Sequence, residues 1–314
     1  MRRSRKILII SAIVILSFVL VIHPIASVIV YESIFSMRFE VSPNFACKIE
    51  DFDSLSVERT QIDGEGERLT GFKYSNPTVT SPEGLVVFAH GLGSGGHNPY
   101  MPLIDALTDE GYLVFTYDAT GNGESGGKDV GGLPQGPIDL GRAITAALSD
   151  PDYDGLSLYL VGHSWGAYSV GVALASYPEV EGAVMLSGFN SSSDMIRESA
   201  ARFVGSFVAT AASPAATCYE RMKFGDASTL TVLDGIASSD ARVMIVHSTS
   251  DTTVPPSAGY NMYYEAYNTD PRVTFLLYNN RAHNSICYNE NMEPDFELIS
   301  KMTDMFKGAS GNLA

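Results

Sequence analysis

Ser164 sits in the pentapeptide Gly162-His163-Ser164-Trp165-Gly166, directly after the apolar run 156–161 and directly before an Ala/Val/Leu stretch that suits a helix. A strand that turns into a helix over so few residues is too crowded for side chains on both flanks. The two glycines relieve that crowding and lift the serine oxygen above the carboxyl end of a sheet. A serine hydroxyl is a poor nucleophile alone. It needs a base, and the base needs an anion that fixes its tautomer and stabilises its charged form. His283 lies in Asn279-Asn280-Arg281-Ala282-His283-Asn284, after the last expected strand, and Asp251 lies in 248–255, after the strand before it. The spacing therefore predicts Ser164 as nucleophile, Asp251 as orienting acid and His283 as base, on loops at one sheet edge and in that chain order.

The other histidines suit plainer roles. His23 lies in a charge-free segment, His247 ends a strand, and His90 and His163 read as turn-packing residues, because the direct neighbour of a nucleophile points away from it. His97 follows a glycine-rich loop and is a candidate for lining the substrate pocket, with a role in helix approach as the alternative. Asp251 could instead cap the turn before Pro255-Pro256. Asp118 is expected to order its own glycine loop, and Asp240 precedes a strand and so falls at the opposite edge. Acyl transfer also needs donors for the oxyanion, and the backbone N–H groups of Leu92, in His90-Gly91-Leu92-Gly93, and of Trp165 are assigned to it. Each such donor is typically worth about 3 kcal/mol in the transition state. Trp165 either walls the acyl pocket or packs beneath a cap. There is no H-x-x-x-H, no C-x-x-C, and Gly91-Leu92-Gly93-Ser94-Gly95-Gly96 lacks dinucleotide-site spacing, so no metal and no cofactor are expected.

These residues need a scaffold, and the pattern supplies an α/β one. Two short stretches within 55–74, around Asp63-Gly64-Glu65-Gly66, read as an antiparallel edge hairpin. Strands are expected at 85–89, 112–117, 156–161, 183–186, 242–247 and 273–278. Helices are expected from Asn98-Pro99 to Gly111, from Pro137 through Leu148, over 167–177, over 256–267, and from Pro294 with Phe296, Leu298, Ile299, Met302 and Phe306 packed. Such alternation implies a mostly parallel, doubly wound sheet. Between 190 and 239 the rhythm breaks, with a helix-compatible run 195–212 and a second segment over 219–233. A cap over the sheet's carboxyl edge is the expectation, and a pair of ordinary crossover helices the alternative.

With 314 residues, 45 % hydrophobic and 18 % charged, the chain can bury a large core. Residues 1–6 are basic, and no Asp, Glu, Lys or Arg occurs over 7–31. As a helix that segment would span roughly 37 Å, enough for a bilayer core of about 30 Å. It is expected to be one N-terminal transmembrane helix, with residues 1–6 cytoplasmic and the rest extracytoplasmic. A signal peptide cleaved near Pro24-Ile25-Ala26-Ser27, giving a secreted protein, is the alternative. Residues 32–54 read as a juxtamembrane connector and 55–310 as the catalytic domain. The formal charge of −16 disfavours nucleic acid as a partner. Of three cysteines, Cys47, Cys218 and Cys287, one pair could close in an oxidising compartment, and Cys218 with Cys287 is the pair left open.

The chain resembles the α/β-hydrolases, closest to the serine hydrolases that include monoacylglycerol lipases, cinnamoyl esterases and the S33 aminopeptidases. The resemblance rests on His90-Gly91, Asp118-Ala119-Thr120-Gly121-Asn122-Gly123-Glu124-Ser125, the Ser164 pentapeptide, Asp251-Thr252-Thr253-Val254-Pro255 and His283. Relatives often carry Arg and His where Thr120 and Asn122 stand, and His-Gly where His247-Ser248 stands. The resemblance implies an α/β-hydrolase fold and hydrolysis of a small acyl ester through an acyl-enzyme. A peptidase of short peptides on the same machinery is the first alternative, with Asp194, Glu198 and Glu220 as an acidic pocket for a free amino terminus. A binding protein that kept the fold and lost the chemistry is the second.

Overall fold

The computed structural model describes residues 6–7, 10–11, 18–289, 291 and 293–308. A π-helical turn, Phe18–Ile22, leads into helix α1, His23–Phe35. No helix among the described residues is long and apolar enough to cross a membrane, and part of the expected 7–31 span, residues 8–9 and 12–17, lies outside them. The helix also runs past the expected end at Tyr31. Tyr31 and Phe35 are buried in the main core.

Strands β1 (Ser56–Ile62) and β2 (Leu69–Ser75) form the antiparallel hairpin. Then come β3 (Gly84–Ala89), helix α2 (Met101–Asp109) after a 3-10 turn at Asn98–Tyr100, β4 (Tyr112–Asp118) and α3 (Gln135–Leu148). Strand β5 (Leu158–His163) feeds α4 (Trp165–Ala173), and β6 (Val180–Leu186) follows. Helices α5 (Ser192–Val204), α6 (Ser206–Phe224) and α7 (Val232–Ala237) precede β7 (Arg242–Ser248), α8 (Tyr260–Tyr267), β8 (Val273–Tyr278) and α9 (Phe296–Phe306).

The eight strands make one sheet in the order β1-β2-β4-β3-β5-β6-β7-β8. β2 runs antiparallel to β4, and every pairing from β4 to β8 is parallel. Every residue of β3 and β5 is buried, which is why both read as unbroken apolar runs rather than alternating ones. Apolar side chains from both sheet faces form two clusters, one under α3, α4, α7 and α8, the other under α2 and α9.

Three details differ from expectation. The helix-compatible run 195–212 is broken at Gly205 (φ 80°), so α5 and α6 are separate helices. The helix behind Ser164 starts at Trp165 and ends at Ala173, four residues before Tyr177. Phe296 is exposed rather than packed, because Asp295 caps α9 by accepting from the N–H groups of Glu297 and Leu298 and leaves Phe296 on the outer side of the first turn. Leu298, Ile299, Met302 and Phe306 are buried as expected.

The stretch 190–239 resolves into both readings at once. Helices α5 and α6 stand over the sheet's carboxyl edge, whereas α7 is a true crossover helix that packs on α4, where a Cβ on Gly171 would lie 2.5 Å from Val232. Residues 32–54 are not a free spacer. The Phe39 N–H donates to the Gly121 carbonyl (2.9 Å), Val130 N–H to Met37 (3.1 Å) and Gly131 N–H to Phe35 (3.1 Å). All three cysteines are free thiols: Cys218 is exposed and Cys287 buried.

Candidate active site

Ser164 sits at φ 56°, ψ −114°, a left-handed conformation that a non-glycine residue adopts only under constraint. The constraint is the crossing of β5 and α4. A Cβ on Gly162 would lie 2.4 Å from the backbone of Gly166, and one on Gly166 would lie 2.0 Å from the Ala89 carbonyl oxygen. Only glycine fits at either place.

The three residues expected to act together are brought together. His283 Nε2 lies 2.9 Å from Ser164 Oγ, and His283 Nδ1 lies 2.7 Å from Asp251 Oδ2. An ionised Asp251 accepts from Nδ1–H, which leaves Nε2 unprotonated and facing the serine hydroxyl. The other oxygen of Asp251 accepts from the N–H groups of Thr253 (2.8 Å) and Val254 (2.9 Å). Burial alone would raise this carboxyl. The hydrogen bond and charge of His283, with the Val254 N–H and His247, outweigh burial and hold it below the usual carboxylate range. The turn-capping bonds and the contact with His283 thus coexist, each using one oxygen.

The glycine-rich loop 90–96, expected to receive the oxyanion, follows β3. The Gly91 N–H is taken by Tyr100 Oη (3.1 Å), whereas the N–H groups of Leu92 and Trp165 have no acceptor among the described residues. Trp165 N–H is in the first turn of α4, where helix geometry leaves donors unpaired. The indole of Trp165 is buried against the cavity, and its Nε1–H donates to the Leu133 carbonyl (2.7 Å), so it is both a wall and a fixed one.

His97 is not at the cavity. Its Nδ1 is 2.8 Å from Asp118, its Nε2 is 2.9 Å from Tyr74 Oη, and Phe72 stacks on its ring at 3.9 Å. The expected substrate contact at His97 is therefore corrected: a buried carboxylate 21 residues downstream holds the imidazole inward. Asp118 also accepts from the N–H groups of His97 (2.9 Å) and Glu124 (2.8 Å), so it orders both glycine loops.

Sequence reasoning gave His163 only a packing role. It is buried, burial and the neighbouring His283 push its pKa down to about 3, and so it is neutral. Its Nδ1 accepts from Tyr100 Oη (2.8 Å) and its Nε2–H donates to the carbonyl of His283 (3.0 Å). His163 thereby ties Tyr100, and through it the Gly91 N–H, to the backbone of His283. Tyr100 was missed altogether, since an exposed-looking Asn-Pro-Tyr at a helix start carries no distinguishing pattern.

Ser164 opens into a cavity of about 1230 Å³. Among the described residues no Asp, Glu, Lys or Arg lines it. Its walls come from α1, from 42–47, from the oxyanion loop and from the cap, with Met195, Ile196 and Ala216 facing in. The three acids expected to bind an amino terminus are committed elsewhere. The Asp194 carboxylate accepts from Ser191 Oγ, the cap of α5 (2.6 Å), and pairs with Arg197 (3.1 Å), Glu198 is 3.9 Å from the same Arg197, and Glu220, fully buried, accepts from Tyr31 Oη (2.8 Å) and Ser192 Oγ (2.7 Å).

Comparison with known proteins agrees with this architecture. An esterase of Pyrococcus furiosus superposes with a TM-score of 0.65 at 18 % identity, over 88 % of this chain and 98 % of that one. Est1E of Butyrivibrio proteoclasticus, solved with ferulic acid, gives 0.59 at 20 % identity, over 79 % and 97 %. The chain has the α/β-hydrolase fold. A family profile described as serine aminopeptidase, S33, matches residues 80–229, which takes in the oxyanion loop and Ser164 and stops before Asp251 and His283. A monoglyceride lipase homolog of monkeypox virus is 30 % identical over 116 residues, 36 % of this chain. The chain spans 41 % of that relative's length.

Proposed function

We propose that this α/β-hydrolase cleaves carboxylic esters through an acyl-enzyme on Ser164. The observation that carries the reading is the unbroken series Ser164 Oγ, His283, Asp251, with links of 2.9 and 2.7 Å, opening into a cavity without charged side chains. Ser164 Oγ attacks the carbonyl carbon and its proton passes to His283 Nε2, while Asp251 stabilises the imidazolium. The oxyanion is received by the N–H groups of Leu92 and Trp165. The C–O bond to the alcohol breaks, His283 returns the proton to the leaving oxygen, and a water activated by the same imidazole releases the acid and restores the serine.

A peptidase acting on a free amino terminus is disfavoured by the same cavity, because a cationic amine would find no carboxylate in its wall. The expected membrane topology belongs to this proposal too. The basic residues Arg2, Arg3, Arg5 and Lys6 remain cytoplasmic, 7–31 anchors the chain, and the hydrolase faces outward.

Turnover of p-nitrophenyl esters by wild type and Ser164→Ala, set beside aminoacyl amides, tests the chemistry. Ester turnover that Ser164→Ala abolishes is the expected result. Undiminished activity in Ser164→Ala removes the mechanism, and faster amide than ester cleavage reverses the substrate reading. A protein whose Ser164 ignores a fluorophosphonate is a binder.

A further inference from the structure

Helix α1 is fixed to the catalytic body more firmly than tethering requires. Tyr31 Oη donates to the buried Glu220 of α6 (2.8 Å), Tyr219 Oη donates to Glu32 (2.7 Å), and Lys223 pairs with Glu32 (3.0 Å). Beyond the helix, Arg38 donates to the carbonyls of Ser125 and Gly127 (2.9 Å each), and residues 35–39 make the backbone bonds to 121–131 already described. An anchor on a flexible leash needs none of these contacts.

The helix has two apolar faces. Ile25 and Ile29, 56 % and 63 % exposed, do not line the cavity and lie on the side that the proposed anchor turns to lipid, whereas Val30 and Ile34, 58 % and 47 % exposed, do line it. Ala26, Val30, Ile34 and Phe35 line the cavity that contains Ser164, opposite Met195 and Ala216 of the cap. The cavity, at about 1230 Å³, exceeds the roughly 300–1,000 Å³ that suits a compact small molecule. The part between α1 and the cap carries hydrocarbon from Val30, Ile34, Met195 and Ile196 beside the polar groups of His23, Ser27, Tyr31, Ser199 and Ser213, and no Asp, Glu, Lys or Arg among the described residues lines it.

We propose that α1 is a wall of the acyl-chain compartment, and that the substrates are esters of long-chain fatty acids whose chains lie between Val30 and Ile34 of α1 and the cap. The inference rests on the reading of Ser164 as an ester-cleaving nucleophile and names the substrate class of that site. Each methylene that leaves water for this compartment raises kcat/KM by about fourfold until the compartment is full.

The test uses the full-length protein in detergent and p-nitrophenyl esters from butyrate to laurate, each below its self-association concentration. Rates are taken per site titrated by a fluorophosphonate. Wild type is expected to turn over decanoate at least tenfold more efficiently than butyrate. Val30→Trp and Ile34→Trp, which fill the compartment, lower that ratio tenfold or more, and Ile29→Trp, on the outer face, changes it less than twofold. Val30→Ala, which needs no extra room to fold, moves the optimum to longer chains. Titratable enzyme whose ratio is the same in wild type, Val30→Trp and Val30→Ala overturns the role of α1 and leaves the ester reading intact. Wild-type enzyme that takes no fluorophosphonate overturns both.

Discussion

Asp251–His283–Ser164 and Asp118–His97–Tyr74 follow the same order, carboxylate to imidazole to hydroxyl, with nearly the same lengths. The carboxylate-to-Nδ1 distances are 2.7 and 2.8 Å, and Nε2 lies 2.9 Å from a hydroxyl in both. Burial and His partners act on both acids in the same way: desolvation pushes each up, and the hydrogen bond and charge of the histidine pull each below its ordinary value. The two series differ at the hydroxyl end. Tyr74 is a buried phenol with Phe72 packed on its histidine, and it is not among the residues that line the cavity. Ser164 is thrust into a cavity at a strained backbone, next to the unpaired N–H groups of Leu92 and Trp165. A relay is therefore structural or chemical according to access and to what faces the developing charge, and its hydrogen-bond lengths do not decide.

Replacing one acid at a time separates the two series most sharply. Asp251→Asn is expected to lower ester kcat by about 10⁴-fold, as loss of the correct tautomer does, with little change in KM. Asp118→Asn should cost less than about 100-fold, through a loosened oxyanion loop. Steady-state kinetics on a short ester reads both, and equal losses break the distinction. Stability should show the opposite emphasis. Asp118→Ala leaves His97 and two backbone N–H groups unpaired in the core and should destabilise by about 3 kcal/mol or more, seen as a lower denaturant midpoint.

The buried histidines set an acid limit. Burial holds the pKa of His163 at about 3, and it also lowers His90 and His247. Between about 3 and the unfolded value near 6.5 the unfolded chain binds a proton that folded His163 refuses. Stability is thus unaffected by this group above about pH 6.5, falls as pH drops through that window, and stops falling near pH 3. His163→Gln should make the slope of stability against pH, between 6 and 4.5, shallower by about one proton in denaturant titrations. The smallest effect belongs to Tyr74→Phe, which removes one neutral hydroxyl from the silent relay. It should cost about 1 kcal/mol and leave ester turnover within twofold.

Much of this arrangement is legible in the residues. The buried strands announce themselves as apolar runs, Gly162 and Gly166 mark the turn at Ser164, and the order serine, aspartate, histidine follows from which loops leave the same sheet edge. The direction of a side chain after a glycine-rich loop is not legible: His97 turns inward because of Asp118, and nothing between them in sequence signals it. Residues 35–39 are stitched on by backbone bonds, which leave no side-chain pattern. A helix without charge as far as Tyr31, such as α1, is equally suited to lipid and to a protein cavity, so apolarity at 23–31 could not reveal that one face lines the cavity. Phe296 missed the core because the cap at Asp295 makes it the first residue of α9, on the outer side of the first turn.

Intact-mass and peptide mapping after treatment with a fluorophosphonate test the central claim directly. The account predicts a single adduct on Ser164, formed rapidly in wild type and at least a thousandfold more slowly in His283→Ala, with Asp118→Asn close to wild type. An adduct on another residue, or labelling of Ser164 that is indifferent to His283, would contradict it.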